Sequence, residues 1–208
     1  MLDSLQIPHA GTYVNTESRE QQYPLLLEKN GFRIALLNYT YGTNGIKVAS
    51  PNVVNYIDKA VMAQDIEAAR AQHPDALIAC MHWGDEYQSL PNKEQKNLTD
   101  WLLQQGVTHI IGSHPHVVQP MELRTDSITG NQHVVVYSLG NFISNMSARR
   151  TDGGLLFKLE LEKDSVTRVA NCGYSLVWTS RPVLSRKKNH ILYPINLSLI
   201  HISEPTRH

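Results

Sequence analysis

Residues Ala76–Tyr87 read ALIACMHWGDEY, and residues Val107–Glu122 read VTHIIGSHPHVVQPME. Each stretch opens on a short apolar run, the pattern of a strand buried on both faces of a sheet. Each run then gives way to histidine: His82 after the first, His114 and His116 after the second. In α/β sheets, ligands bind where strands end, because side chains converge there as the backbone leaves the ladder. Two adjacent strands would thus deliver three imidazoles to one edge. Neutral imidazole is a good ligand for zinc, manganese or iron. A single histidine at a strand end is more often a satisfied structural residue, but three at the ends of consecutive strands point to a metal site. His9, His73, His109, His133, His190, His201 and His208 show no such pattern, and His109 falls inside a strand.

The sequence around these runs supplies the rest of a sheet. Tyr23–Glu28 and Phe32–Tyr39 are apolar runs around Lys29-Asn30-Gly31, and Asn-Gly between such runs predicts a hairpin. Lys59–Gln72 is rich in helix formers and stops at His73-Pro74. Pro91–Gln105 is a second predicted helix, capped by Asn92, striped by Leu98, Trp101 and Leu102, and ended by Gly106. His133–Leu139 is another buried strand, and Leu155–Leu161 and Val166–Trp178 alternate apolar and polar residues. A strand–helix–strand middle with an antiparallel end predicts an α/β sandwich with outer helices.

Composition excludes several classes. The chain has 208 residues, 41% of them hydrophobic and 18% charged, enough for one domain with a core. Lys+Arg and Asp+Glu both number 19, so no charge excess recommends a nucleic acid partner. Cys80 and Cys172 match no zinc or redox spacing, and Cys80 is expected to be a buried thiol. No run is long and apolar enough to span a membrane, and the start has neither a basic nor an apolar signal region.

Three stretches carry a resemblance. Met81–Tyr87, Gly112–Glu122 and Tyr137–Phe142 (YSLGNF) are similar to the late motifs of the CapA family, named for poly-γ-glutamate capsule synthesis. Leu37–Gly45 resembles the segment preceding them, and the likeness runs from about Met1 to Pro194. The resemblance implies a calcineurin-like metallophosphatase sandwich of two mixed β-sheets flanked by helices (αββα). It implies two divalent cations (Mn, Zn or Fe), with His82 and His114 on one and His116 on the other. Glu86 and Asp85 are candidate catalytic or ligand-orienting carboxylates, and Trp83, Glu122 and Asn141 are candidates for the substrate pocket. The implied substrate is an anionic polymer or a small phosphoester or amide. The implied setting is the cell envelope or its exterior, with a membrane capsule-synthesis complex as partner. A non-catalytic scaffold or export component is the alternative.

The family's early Asp, Gly-Asp and Asn-His motifs are absent, and Leu2–Thr12 resembles the segment that follows them. The chain therefore reads as residues 1–196 of a partial domain without its first strands, and neither a complete two-metal centre nor appreciable turnover is expected of it. Leu197–Arg207 (LSLIHISEPTR) matches the in-frame translation of a transposon-end sequencing adaptor. Residues 197–208 are accordingly expected to carry no function and no order.

Overall fold

The structure, a computed structural model, describes residues 2–195. The expected adaptor tail, 197–208, lies outside the described residues. The chain begins with β1 (Thr12–Tyr13), α1 (Thr16–Gln22), β2 (Leu25–Lys29), β3 (Phe32–Thr40) and β4 (Val53–Val54). Next come α2 (Lys59–Arg70), β5 (Ala76–His82), α3 (Lys93–Gln104), β6 (His109–Ser113), β7 (Met121–Thr125) and β8 (Gln132–Val136). It continues with β9 (Gly153–Lys163), β10 (Thr167–Ser180), α4 (Pro182–Ser185) and β11 (Ile191–Pro194). A mixed six-stranded sheet has the order β2-β3-β5-β6-β8-β7, and a three-stranded sheet has the order β11-β10-β9.

The Asn30-Gly31 hairpin forms as expected. Both residues have positive φ (53° and 80°), and Lys29 pairs directly with Phe32, the geometry of a two-residue turn. Strands β3, β5, β6 and β8 then run parallel, joined by α2 between β3 and β5 and by α3 between β5 and β6. Asn92 caps α3 in a reciprocal box with Gln95. Edge strand β7, which the sequence reading did not resolve, pairs antiparallel with β8.

Alternation along β5 divides its side chains between two layers. Leu77, Ala79, Met81 and Trp83 are buried in the main core with Met62 and Ile66 of α2 and Leu98 and Leu102 of α3. On the opposite face, Ile111 and Met121 pack with Val134, Val136, Leu155, Phe157 and Leu159, closing the first sheet on the second. Ile78 and Cys80 are only half-buried, so β5 is not sealed on both faces as its apolar run suggested. The second sheet lies over β6 and β8 rather than over β5. The second sheet is purely antiparallel, as the alternating end of the sequence suggested, where the family resemblance implied a mixed one. Cys80 and Cys172 are both free thiols, and burial raises the pKa of Cys80.

One polar network crosses the first core. The Arg19 guanidinium donates to Asp65 Oδ2 at 2.6 Å and to Asn55 Oδ1 at 2.7 Å. The buried Tyr39 hydroxyl donates to the same Asp65 oxygen at 2.9 Å. This joins α1 to α2 and to the carboxyl end of β3.

His109 is a buried structural histidine. Its Nδ1 accepts from the Val134 backbone at 3.1 Å, bridging β6 to β8. Burial, with a smaller contribution from His133, pushes its pKa down from 6.5 to about 4. Between those values the unfolded chain takes up a proton that the folded chain refuses. The stabilisation is therefore complete above pH 6.5, falls as pH drops and levels off near pH 4. The total loss expected is about 3 kcal/mol. Urea unfolding at pH 7, 5.5 and 4 should show that slope in the wild type and a flatter one in His109→Gln; equal slopes would refute the assignment.

Gly112 of β6 lies against the backbone just beyond β8. A Cβ there would lie 2.1 Å from the Tyr137 carbonyl oxygen, which also accepts from Trp83 Nε1 at 3.0 Å. Because the obstacle is backbone, Gly112→Ala is expected to destabilise by about 1–3 kcal/mol, the range for an overpacked core. A thermal melt within a degree of wild type would contradict this.

Candidate metal centre

The centre forms at the carboxyl ends of three adjacent parallel strands. Thr40, His82 and Ser113 stand in register at the ends of β3, β5 and β6, so the residues just beyond them share one edge. Tyr41 follows β3, and His114 and His116 follow β6. The His82 and His114 rings lie 4.6 Å apart, and those of His114 and His116 lie 5.8 Å apart. The three imidazoles inferred from sequence therefore do assemble. Tyr41, which the sequence reading did not single out, stacks near-parallel to His82 and packs on His114 with ring centres 4.3 Å apart. It occupies the same strand-end position as the histidines, which was the signal that could have found it.

The backbone here is strained. His114 has φ of 103° and His116 has φ of 61°, values that L-residues rarely adopt. Each such residue costs about 1–3 kcal/mol and persists where the surroundings over-determine it, typically at functional sites. Nearby, Gly84 (φ 84°) and Tyr87 (φ 65°) reverse the loop after β5. The Tyr87 N–H donates to the Pro115 carbonyl at 2.8 Å, tying this loop to the histidine loop.

That reversal brings in a carboxylate. Ligating atoms of Glu86, His114 and His116 all lie within 4.8 Å of one another, a set that could hold a metal ion. The sequence suggests Glu86 as a proton-transfer or orienting group; its position in the structure is beside two imidazoles, where a carboxylate could serve as a donor. His82 stands next to His114 but outside this tightest set, with its Nδ1 3.5 Å from Ser113 Oγ.

The tautomer of His116 follows from its partner. Asn141 Nδ2 donates to the Thr151 carbonyl at 2.9 Å, which fixes the amide's orientation. Asn141 Oδ1 then faces His116 Nδ1 at 3.0 Å, so Nδ1 carries the proton. The lone pair of Nε2 is left facing Glu86 Oε1 across 3.8 Å. A cation or a proton between these two acceptors would satisfy both; with the side chains 28% and 45% exposed, water also reaches them. The donor set of one carboxylate and imidazoles suits manganese, zinc or iron. Burial lowers the pKa of His114 and of His82, keeping both in the neutral, ligating form. A hydrogen bond from the far ring nitrogen orients metal-ligating imidazoles, and at His116 a side-chain amide oxygen stands where a carboxylate, backbone carbonyl or water usually does.

The remaining candidates divide. Asp85 accepts from Asn92 Nδ2 at 2.8 Å and, with Glu86, lines an open cleft of about 710 Å³ beside His114. Trp83 reaches the cleft wall but is 2% exposed and anchored to Tyr137, so its role is packing. Glu122 does not line the cleft. Strand alternation on β7 turns it to Arg124 Nε, 2.6 Å away, and to the Tyr137 hydroxyl, making it a brace. Asn141 contacts His116 rather than the cleft.

Residues 1–146 match the family described as Bacterial capsule synthesis protein PGA_cap. The chain belongs to the PGA_cap family. Two PGA_cap-like relatives are similar along most of it. The PGA biosynthesis protein CapA of Bacillus subtilis (strain 168) is 30% identical over 167 residues, which are 79% of this chain and 41% of that protein. The capsule biosynthesis protein CapA of Bacillus anthracis is 28% identical over 145 residues, 67% of this chain and 34% of that protein. The chain thus spans well under half the length of either relative. Among solved structures, the NAD nucleotidase NadN of Haemophilus influenzae superposes with a TM-score of 0.50 at 12% identity, covering 95% of this chain and 40% of that one. This PGA_cap chain accordingly shares with that structure its fold, a mixed α/β sheet flanked by helices. Among its described residues, no helix is long and apolar enough to cross a membrane.

Proposed function

We propose that this chain is part of a metal-dependent hydrolase acting in the biosynthesis of a capsule polymer such as poly-γ-glutamate, at the cell envelope. The observation that carries the reading is the opposition of His116 Nε2 and Glu86 Oε1 across 3.8 Å, with the proton held on the far ring nitrogen by Asn141. Glu86, His114 and His116 would hold one divalent cation. The family resemblance implies a different partition, His82 and His114 on one cation and His116 on the other; with His114 in the set of Glu86 and His116, His82 stands beside it as a donor toward a second. A divalent cation at this edge supplies Lewis acidity toward a phosphoryl or acyl oxygen and acidifies water near neutral pH. The cleft beside His114 receives the substrate, an anionic polymer or a smaller phosphoester or amide. Asp85, oriented by Asn92, accepts or returns a proton at its free carboxylate oxygen.

The test is manganese and zinc titration by calorimetry, followed by turnover on a generic phosphoester and on poly-γ-glutamate. It should be run on this chain and on a protein spanning the full length of its relatives. Metal binding by both and hydrolysis by the longer protein are expected. Metal loading without turnover on either substrate would favour a scaffold in a capsule-export complex. Absence of metal binding would end the reading.

A further inference from the structure

Two buried carboxamides stand out outside the histidine cluster: Gln95, which also closes the capping box of α3, and Gln119. Gln95 is 1% exposed and Gln119 is 2% exposed. Gln95 Oε1 accepts from the Asn92 backbone at 3.0 Å, and its Nε2 donates to Gln119 Oε1 at 2.9 Å. Gln119 Nε2 donates in turn to the Gln88 carbonyl at 2.9 Å and to the Leu90 carbonyl at 3.2 Å. Both protons of the Gln119 amide are thus spent on the loop that carries Glu86. The same relay supports the start of that loop: a Cβ on Gly84 would lie 2.6 Å from the Gln95 carboxamide, so the chain rests directly on it. Asn92, linked to Gln95 through the cap of α3, holds Asp85. A buried amide without its partner is costly, so the chain has strong reason to keep the loop in this one place.

We propose that the Gln95–Gln119 pair is the positioning element of the metal centre, setting the Gly84–Leu90 loop so that Glu86 reaches His114 and His116. The pair touches neither cation nor substrate and acts through Glu86. This rests on the reading of Glu86, His114 and His116 as a cation site.

A double-mutant cycle on the full chain tests it, with Mn²⁺ affinity measured by calorimetry for wild type, Gln119→Met, Glu86→Gln and the double variant. Backbone amide exchange at Tyr87 and Gln88 is followed alongside. Gln119→Met is expected to weaken Mn²⁺ about 10–100-fold, the range for partners behind a ligand, and to speed exchange at Tyr87. The double variant should bind no more weakly than Glu86→Gln alone, since the relay works through that carboxylate. Losses that multiply, or Mn²⁺ affinity unchanged in Gln119→Met, would overturn the proposal while leaving the metal site standing. If wild type binds no Mn²⁺, the metal reading fails, and unchanged exchange at Tyr87 would then sink the relay separately. Gln119→Asn, which keeps a buried amide too short to reach both carbonyls, serves if Gln119→Met does not fold; the same losses are expected of it.

Discussion

Replacing His114 with alanine is expected to abolish measurable binding of a divalent cation, a loss of more than about 100-fold, since removing an outer partner alone costs 10–100-fold. The reason is its central position. His114 is 7% exposed and belongs both to the set with Glu86 and His116 and to the close pair with His82. Without it, Glu86 and His116 remain as a two-donor site, and His82 loses its neighbour. Stability should respond differently. His114 is held at a φ of 103°, where an alanine is as strained as the histidine and a glycine is not. His114→Gly should therefore lose the metal equally while unfolding about 1–3 kcal/mol later than His114→Ala. Calorimetric titration and urea unfolding of the two variants check both halves. Retained affinity in either variant would move the site elsewhere.

Asp65→Ala should be among the most destabilising single changes away from the metal centre, costing about 3–5 kcal/mol, as expected when one partner of a buried ion pair is removed. Asp65 is 7% exposed and receives both the Arg19 guanidinium and the hydroxyl of Tyr39, which is fully buried. Alanine leaves a half-buried cation and a buried donor without an acceptor, and it loosens α1 from α2. Asp65→Asn keeps an acceptor and should lose much less. A variant combining Asp65→Leu, Arg19→Met and Tyr39→Phe removes every stranded group and should recover much of the loss. Urea midpoints rank the four proteins. An Asp65→Ala variant within about 1 kcal/mol of wild type would show the network to be a surface pair of little weight.

Much of this molecule was legible in advance because its local signals agree. Asn30-Gly31 specified the hairpin through two positive φ angles. Asn92 specified the start of α3 as its cap, and the structure adds Gln95 as the other half of the box. The apolar runs before His82 and His114 specified strands, and a parallel sheet brings their ends together, so the imidazole cluster followed from order along the chain. Short strand β7 was missed because its pattern is polar and it is held by pairing to β8.

The sequence by itself determined the long strands, helices α2 and α3, and the three histidines at one sheet edge, since periodicity and turn chemistry are local properties. Only the tertiary structure decided that Glu86 joins His114 and His116, that Asn141 sets the tautomer of His116, and that Glu122 turns away to Arg124. It alone showed Gln95 and Gln119, 24 residues apart, meeting in the core to hold the Gly84–Leu90 loop. Those outcomes depend on which way a loop reverses and which side chain meets it from a distant element, and chain order alone does not encode that geometry.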